Sequence, residues 1–142
     1  MTRTQTRELA FELLYSLEIQ KVAKNEQTEQ IQLFIEQQEI EEEKVKKYIL
    51  ETTRGIEEHE EEILKNISDN LKEKWEITRI SKINIALLKL AIYEILYTKL
   101  PYKVVVNEVV ELAKKYGDDN SASFINGILA NIIKKNGISE EE

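Results

Sequence analysis

Residues 116–129, with the sequence YGDDNSASFINGIL, combine side chains that suit the binding of an unstacked nucleobase and its phosphate. Hydroxyl groups and free backbone N–H groups at the start of a helix bind phosphate, and an aromatic ring beside them stacks on a base. Phe124 falls in the first turn of an apolar helical pattern. Gly127 follows inside the same helix, where a glycine costs about 1 kcal/mol relative to alanine. That cost indicates that a ligand or another helix approaches closely.

The residues alone leave two interpretations of Phe124 and Gly127. At 100° per residue, Phe124 lies at the rim of the core stripe of its helix, and Gly127 and Asn131 share its outer side. In one interpretation Phe124 covers the edge of the core while Gly127 admits a crossing helix, and physical reasoning favours this one. In the other, the pair faces a nucleobase. In both, Asn120 or Ser121 is expected to cap the helix through its side-chain oxygen.

Residue patterns for catalysis and metal binding are not found in the sequence. It contains no glycine-rich phosphate loop, no nucleophile elbow, no cysteine and a single histidine, His59, set among glutamates. A lone histidine does not complete a zinc site or a nucleophilic pair. We therefore expect a helical binding module, not an enzyme, with no catalytic residues, no metal and no cofactor.

The charge of the chain is concentrated in its middle. The net charge is −7, and residues 25–76 carry sixteen acidic and seven basic side chains. Because phosphate contacts dominate nucleic-acid affinity, an acidic chain needs a local patch and a helper to bind RNA. The lack of cysteine and of long apolar segments leads us to expect a soluble, cytoplasmic protein.

Apolar residues recur every three or four positions and predict an all-α fold. Seven helices are expected, over residues 4–21, 26–38, 41–54, 56–71, 83–97, 103–116 and 121–135. Gly55 is expected to end the third, and Pro101 to stop the fifth. The fifth is apolar almost all round, which indicates a central, enclosed helix. Val104–Val106 alone would also suit a strand, but the residues that follow have helical spacing.

Several segments occur in the order and at the spacing of a known family. They are TRELAFELLYSLE near the start, Trp75, then LLKLAIYEIL, PYKVVVNEVVELAKKYG and SFINGIL. Together they resemble the NusB family over nearly the whole chain. The resemblance implies a NusB-like bundle of about seven helices in two packed sub-bundles, at about 1–72 and 75–136, with a loose tail at 137–142.

The resemblance also implies a function. NusB-like proteins pair with NusE, a ribosomal protein of the small subunit, and the pair binds the boxA element of single-stranded nascent RNA. The complex joins the elongating RNA polymerase through other Nus factors and suppresses termination, notably in ribosomal RNA operons. A basic ribosomal partner would supply the positive charge that this acidic chain lacks. Family members differ in whether they form homodimers.

The resemblance assigns the family's functional residues to this chain only at positions that match the family pattern. The RNA-binding positions are then Arg3, Thr4, Arg7, Asn120, Ser121 and Phe124, and the partner-binding positions are Glu12, Tyr15, Lys82 and Asn84. This chain departs from the family in two places. Three uncharged residues separate Arg3 from Arg7, which weakens the expected phosphate contribution. Asn84 and Ile85 replace the acid–arginine pair that many members carry.

Two other functions fit the same pattern. One is a stand-alone RNA-targeting domain like that of ribosomal RNA methyltransferases, which the lack of a catalytic cysteine and of a Rossmann-like extension disfavours. The other is a non-catalytic helical adaptor that oligomerises through the column of Phe11 and Tyr15. A helix apolar on a second side is either buried twice or offers that side to a partner, and the buried alternative is favoured here.

Overall fold

The computed structural model describes residues 1–72 and 75–138 and is all-α over these ranges, as predicted. The helices are α1 Arg3–Gln20, α2 Gln27–Gln37, α3 Glu43–Glu58, α4 Glu60–Asp69, α5 Lys82–Tyr97, α6 Tyr102–Tyr116 and α7 Ser121–Lys135. Two short 3₁₀ turns, Lys24–Glu26 and Ile77–Arg79, precede α2 and α5. The valines of α6 are helical, so the strand alternative is wrong. No helix among the described residues is both long and apolar enough to cross a membrane.

Gly55 does not end α3, contrary to the prediction. The helix continues to Glu58 and breaks at His59, whose backbone N–H bonds to the carbonyl oxygen of Gly55 at 3.1 Å. Gly55 is needed for packing, because a Cβ built there would lie 2.2 Å from Cε1 of Tyr93 on α5. The glycine thus marks close contact between two helices and not a helix end.

Helix α5 lies at the centre of the molecule, as its composition predicted. Ten of its sixteen residues are buried, among them two charged ones, Lys89 and Glu94. A buried charge needs a partner of opposite sign. Helix α1 supplies a partner to each: Lys89 pairs with Glu18, and Glu94 pairs with Arg7. Lys89 also lies 3.9 Å from the carboxylate of Glu60 on α4. The pairs fix the position of α1 along α5.

The buried apolar residues form two clusters. The smaller one joins α1, α2 and α3 and contains Leu13, Ile31, Ile35, Ile40, Val45 and Ile49. The larger one surrounds α5 and includes Ile63 and Ile67 of α4 together with the inner faces of α6 and α7. Helix α4 therefore packs on the larger cluster. The division into sub-bundles at 1–72 and 75–136 stays a prediction, and residues 139–142 of the expected loose tail lie outside the described residues.

Candidate nucleic-acid interface

Asp118 and Ser121 hold together the turn between α6 and α7. The Asp118 carboxylate accepts a hydrogen bond from the backbone N–H of Asn120 at 2.8 Å, and the Ser121 hydroxyl accepts one from the N–H of Asp118 at 3.1 Å. Gly117 directly follows the end of α6. A Cβ there would lie 2.3 Å from Oγ of Ser121 and 2.8 Å from the carbonyl oxygen of Ala113. Only glycine leaves room for this compact turn.

Neither Asn120 nor Ser121 caps α7 as predicted. Asn120 occupies the N-cap position, but its side chain makes no capping hydrogen bond and is exposed. Ser121 points inward, is 1% exposed and bonds to Asp118 instead of a first-turn N–H. RNA contact stays a prediction for both residues. Asn120 is free to make it as the protein is folded, whereas Ser121 first has to leave the turn.

An open groove runs beside Phe124 between α7 and the segment that follows α4. It has a volume of about 540 Å³, and its lining includes Asn70, Lys72, Trp75, Asn120, Phe124, Gly127 and Asn131. Trp75 lies in the connector between α4 and α5 and is 54% exposed. The helical-wheel prediction that Phe124, Gly127 and Asn131 share one side of α7 agrees with their common place in this groove.

The crossing helix expected at Gly127 under the core-edge interpretation is not present among the described residues. Nothing lies within 4 Å of a Cβ built on Gly127, so helix packing does not require this glycine. Phe124 is half-buried and packs against the larger core cluster. Its ring therefore covers the core edge and also borders the groove, and RNA contact by Phe124 stays a prediction.

The N-terminal arginines have different surroundings. Thr2 caps α1 by accepting a hydrogen bond from the N–H of Gln5 at 3.1 Å, and the Gln5 side chain accepts one from the N–H of Thr2 at 2.9 Å. This reciprocal capping starts the helix at Arg3, which is exposed. Thr4 donates a hydrogen bond to Glu108 of α6 at 2.8 Å. Arg3 is thus the more accessible of the two arginines.

Arg7 is 3% exposed and forms an ion pair with Glu94, at 2.7 Å from its Nε to the carboxylate. A second carboxylate, that of Glu108, lies 3.8 Å from its NH1. Burial alone would lower the pKa of Arg7, but the hydrogen bond and charge of Glu94 outweigh it and raise that pKa. The hydroxyl of Tyr48 also donates to Glu94, at 3.1 Å. RNA contact by Arg7 stays untested, and we leave Arg7 out of the proposed RNA surface because its guanidinium is enclosed.

The four positions expected to face a protein partner differ in their surroundings. Glu12 accepts a hydrogen bond from Tyr116 at 3.1 Å, and Tyr15 stacks on Phe11 with ring centroids 6.0 Å apart. Lys82 is exposed and lines a different groove, which it shares with Glu18 of α1. Asn84 stands in the first turn of α5, where its N–H donates to the N-cap Ser81 at 3.1 Å. The partner roles stay predictions.

Sequence reasoning missed the opposite wall of the groove. Trp75 entered only as part of the family resemblance, and Asn70 and Lys72 were given no role. The available signal was the single tryptophan of the chain within a polar segment. Its proximity to Phe124, 49 positions further along, depends on how α4 and α7 pack and is not visible in local patterns.

The fold and the groove together define the class of protein. The protein is an all-helical binding module whose open groove combines aromatic rings, amides and a lysine.

Comparison with known proteins gives the family. The NusB family model matches residues 4–134. The chain is 44% identical to the transcription antitermination protein NusB of Clostridium acetobutylicum over 143 residues, which cover 100% of both chains. Its fold matches a T. maritima NusB structure with a TM-score of 0.83 and 34% identity, covering 95% of this chain and 92% of that one. The chain belongs to the NusB family.

A second solved structure matches it with a TM-score of 0.81 and 27% identity, covering 95% of this chain and 99% of that one. It is a crystal structure of the antitermination factors NusB and NusE in complex with dsRNA. The named relatives belong to a regulatory, non-catalytic family of transcription factors. The prediction that the chain is not an enzyme is thereby confirmed.

Proposed function

We propose that this protein is a transcription antitermination factor that binds boxA-type single-stranded RNA together with the ribosomal protein NusE. The complex joins the elongating RNA polymerase through other Nus factors, in the cytoplasm, and acts chiefly on ribosomal RNA operons. The observation that carries the proposal is the family match over residues 4–134, with a fold shared with a NusB that was crystallised with NusE and RNA.

The surface chemistry supports a shared RNA site. Single-stranded RNA is recognised by aromatic stacking and by amide contacts to base edges. Phe124, Trp75 and the exposed Asn120 provide such groups on one side of the molecule. A net charge of −7 leaves little general attraction for phosphate, so a basic partner has to supply most of the electrostatic affinity.

The adaptor hypothesis is weakened by the position of Phe11. Its ring is 1% exposed and lies 5.0 Å from that of Tyr116, inside the larger cluster. A column of Phe11 and Tyr15 therefore offers only Tyr15 to a second copy. A homodimer formed through some other surface remains compatible with the proposed function.

Fluorescence anisotropy of a labelled boxA-like RNA tests the proposal. The RNA is titrated with this protein alone, with an equimolar NusE-type protein alone, and with both, beside a scrambled RNA of equal length. Tighter binding of the boxA-like RNA with both proteins present than with either alone is the expected result. Absence of binding in every arm, with both proteins shown to be folded, would leave the adaptor function instead.

A further inference from the structure

We propose that the groove between Trp75 and Phe124 is a base-binding subsite, in which an unstacked RNA base stacks on the ring of Trp75 above Gly127. The inference rests on the proposed function and adds a second aromatic contact to the one expected at Phe124. It concerns the wall formed by Asn70, Lys72 and Trp75, which lies opposite α7.

The exposure of Trp75 is the first argument. Removing a tryptophan ring from water is energetically favourable, yet the ring of Trp75 is 54% exposed. Exposed aromatic residues beside polar groups are typical of binding sites. Stacking on a base would cover the ring face without requiring a particular base, since every base has a π face.

The charge of the groove is the second argument. None of the described residues that line it carries a carboxylate, whereas each of four other grooves contains at least one glutamate. In a chain with a net charge of −7, the described lining of this groove is the one of the five that carries no negative charge to repel a phosphate. Lys72 is exposed at its edge and is able to contact the phosphate of a bound nucleotide.

The amides of the groove favour a base over an apolar side chain of a protein. Asn70, Asn120 and Asn131 each carry a donor and an acceptor, the combination that pairs with base edges. The Nδ2 of Asn70 donates to Asn66 at 2.7 Å, but its Oδ1 is buried without a hydrogen-bond partner among the described residues. A buried acceptor left unsatisfied is unfavourable.

The glycine at position 127 also favours a bound base. Glycine is unfavourable inside a helix, and no neighbouring atom requires it, because nothing lies within 4 Å of the missing Cβ. The lack of a side chain keeps the floor of the groove open between Phe124 and Asn131. A bound base in van der Waals contact with the α7 backbone would account for the glycine.

The test combines Gly127→Leu with a matched control, Asn126→Leu. Both positions are exposed on α7, but Asn126 does not line the groove. Because leucine is the better helix former, Gly127→Leu is expected to keep or raise the melting temperature while filling the groove. With the NusE-type partner present, we expect its affinity for boxA-like RNA to fall roughly 5- to 150-fold, the range for loss of one base–aromatic stack. Asn126→Leu is expected to bind like the wild type.

Tryptophan fluorescence gives a direct readout, because Trp75 is the only tryptophan of the chain. Saturating RNA should quench it, and the complex of the Trp75→Phe variant supplies the background from the partner. Wild-type affinity in Gly127→Leu without quenching of Trp75 would overturn the subsite and leave the proposed function intact. Weakened binding of the partner protein in place of RNA would also overturn it. No RNA binding by the wild-type complex would instead refute the proposed function.

Discussion

Arg7 and Glu94 form a buried ion pair that joins the first helix to the central one, with 2.7 Å between Nε and the carboxylate. Tyr48 of α3 donates a hydrogen bond to the same carboxylate, so three helices meet at one charge. Burial and the charge of Glu94 raise the pKa of Tyr48 above its usual range, which keeps its hydroxyl protonated as a donor. These interactions of Arg7, Glu94 and Tyr48 hold the start of α1, which carries Arg3, against the core.

Arg7→Ala is expected to destabilise the fold strongly. The substitution leaves the Glu94 carboxylate buried with only Tyr48 as a partner, and breaking a buried pair costs about 3–5 kcal/mol. Urea unfolding measures the change in the free energy of unfolding. The matched control is Arg3→Ala on the same helix, which is exposed and should change that free energy by less than about 0.5 kcal/mol. Equal changes in the free energy of unfolding for the two substitutions would show that the ion pair of Arg7 with Glu94 does not stabilise the fold.

Gly117→Ala is expected to destabilise the protein, whereas Gly127→Ala should stabilise it. A Cβ at Gly117 would collide with Ser121 and with the backbone at Ala113, and such overpacking costs about 1–3 kcal/mol. A Cβ at Gly127 meets nothing, so the variant gains up to about 1 kcal/mol from helix propensity. Thermal melting of the two variants checks both signs. A lower melting temperature for Gly127→Ala would contradict the open surroundings of that residue.

The decrease in the free energy of unfolding at acid pH should depend in part on Glu8. Hydrogen bonds from Lys115 and Tyr116 lower the pKa of Glu8 below its usual value. A carboxylate with a lowered folded-state pKa stabilises the fold above its unfolded-state pKa, and this contribution disappears as the pH falls through the folded-state pKa. Glu8→Gln should therefore cost about 0.2–1 kcal/mol at pH 7, as for a partly exposed pair. The free energies of unfolding of variant and wild type, measured with urea, should converge as the pH falls through the lowered pKa of Glu8. A difference that stays constant with pH would show that the ionisation of Glu8 does not contribute.

Helix existence was predictable from sequence, but side-chain partners were not. The interval 121–135 matches α7 residue for residue, because its apolar spacing is continuous and a polar turn precedes it. Gly55 misled the prediction, since a glycine required by a neighbouring helix looks the same in sequence as one that ends a helix. Arg7 shows a different limit: an arginine near the N-terminus suggests phosphate contact, and the sequence does not show the buried ion pair that tertiary packing forms with Glu94. The same holds for Trp75 and Phe124, which line one groove because α4 and α7 both pack on α5.

Arg3→Ala should weaken RNA binding mainly through electrostatics. Arg3 is exposed and has no ion pair among the described residues, so its charge is available to a phosphate. Removing one phosphate contact on single-stranded RNA lowers the slope of log affinity against log salt by roughly 0.7. Titrations of the complex with the NusE-type partner between low and moderate salt measure this slope. An unchanged slope would remove the start of α1 from the RNA surface.

Substitutions of Phe124 distinguish two roles of its ring, packing on the core and contact with RNA. Phe124 packs on the larger core cluster and borders the groove, so its removal should lower both the melting temperature and the RNA affinity. If the ring stacks on a base, affinity falls by about 1–3 kcal/mol. Phe124→Leu is the discriminating control, because leucine retains most of the apolar contact with the core but has no π face. Anisotropy should then show weak RNA binding for a protein that melts close to the wild type. Wild-type affinity in Phe124→Leu would mean that the ring serves the core alone.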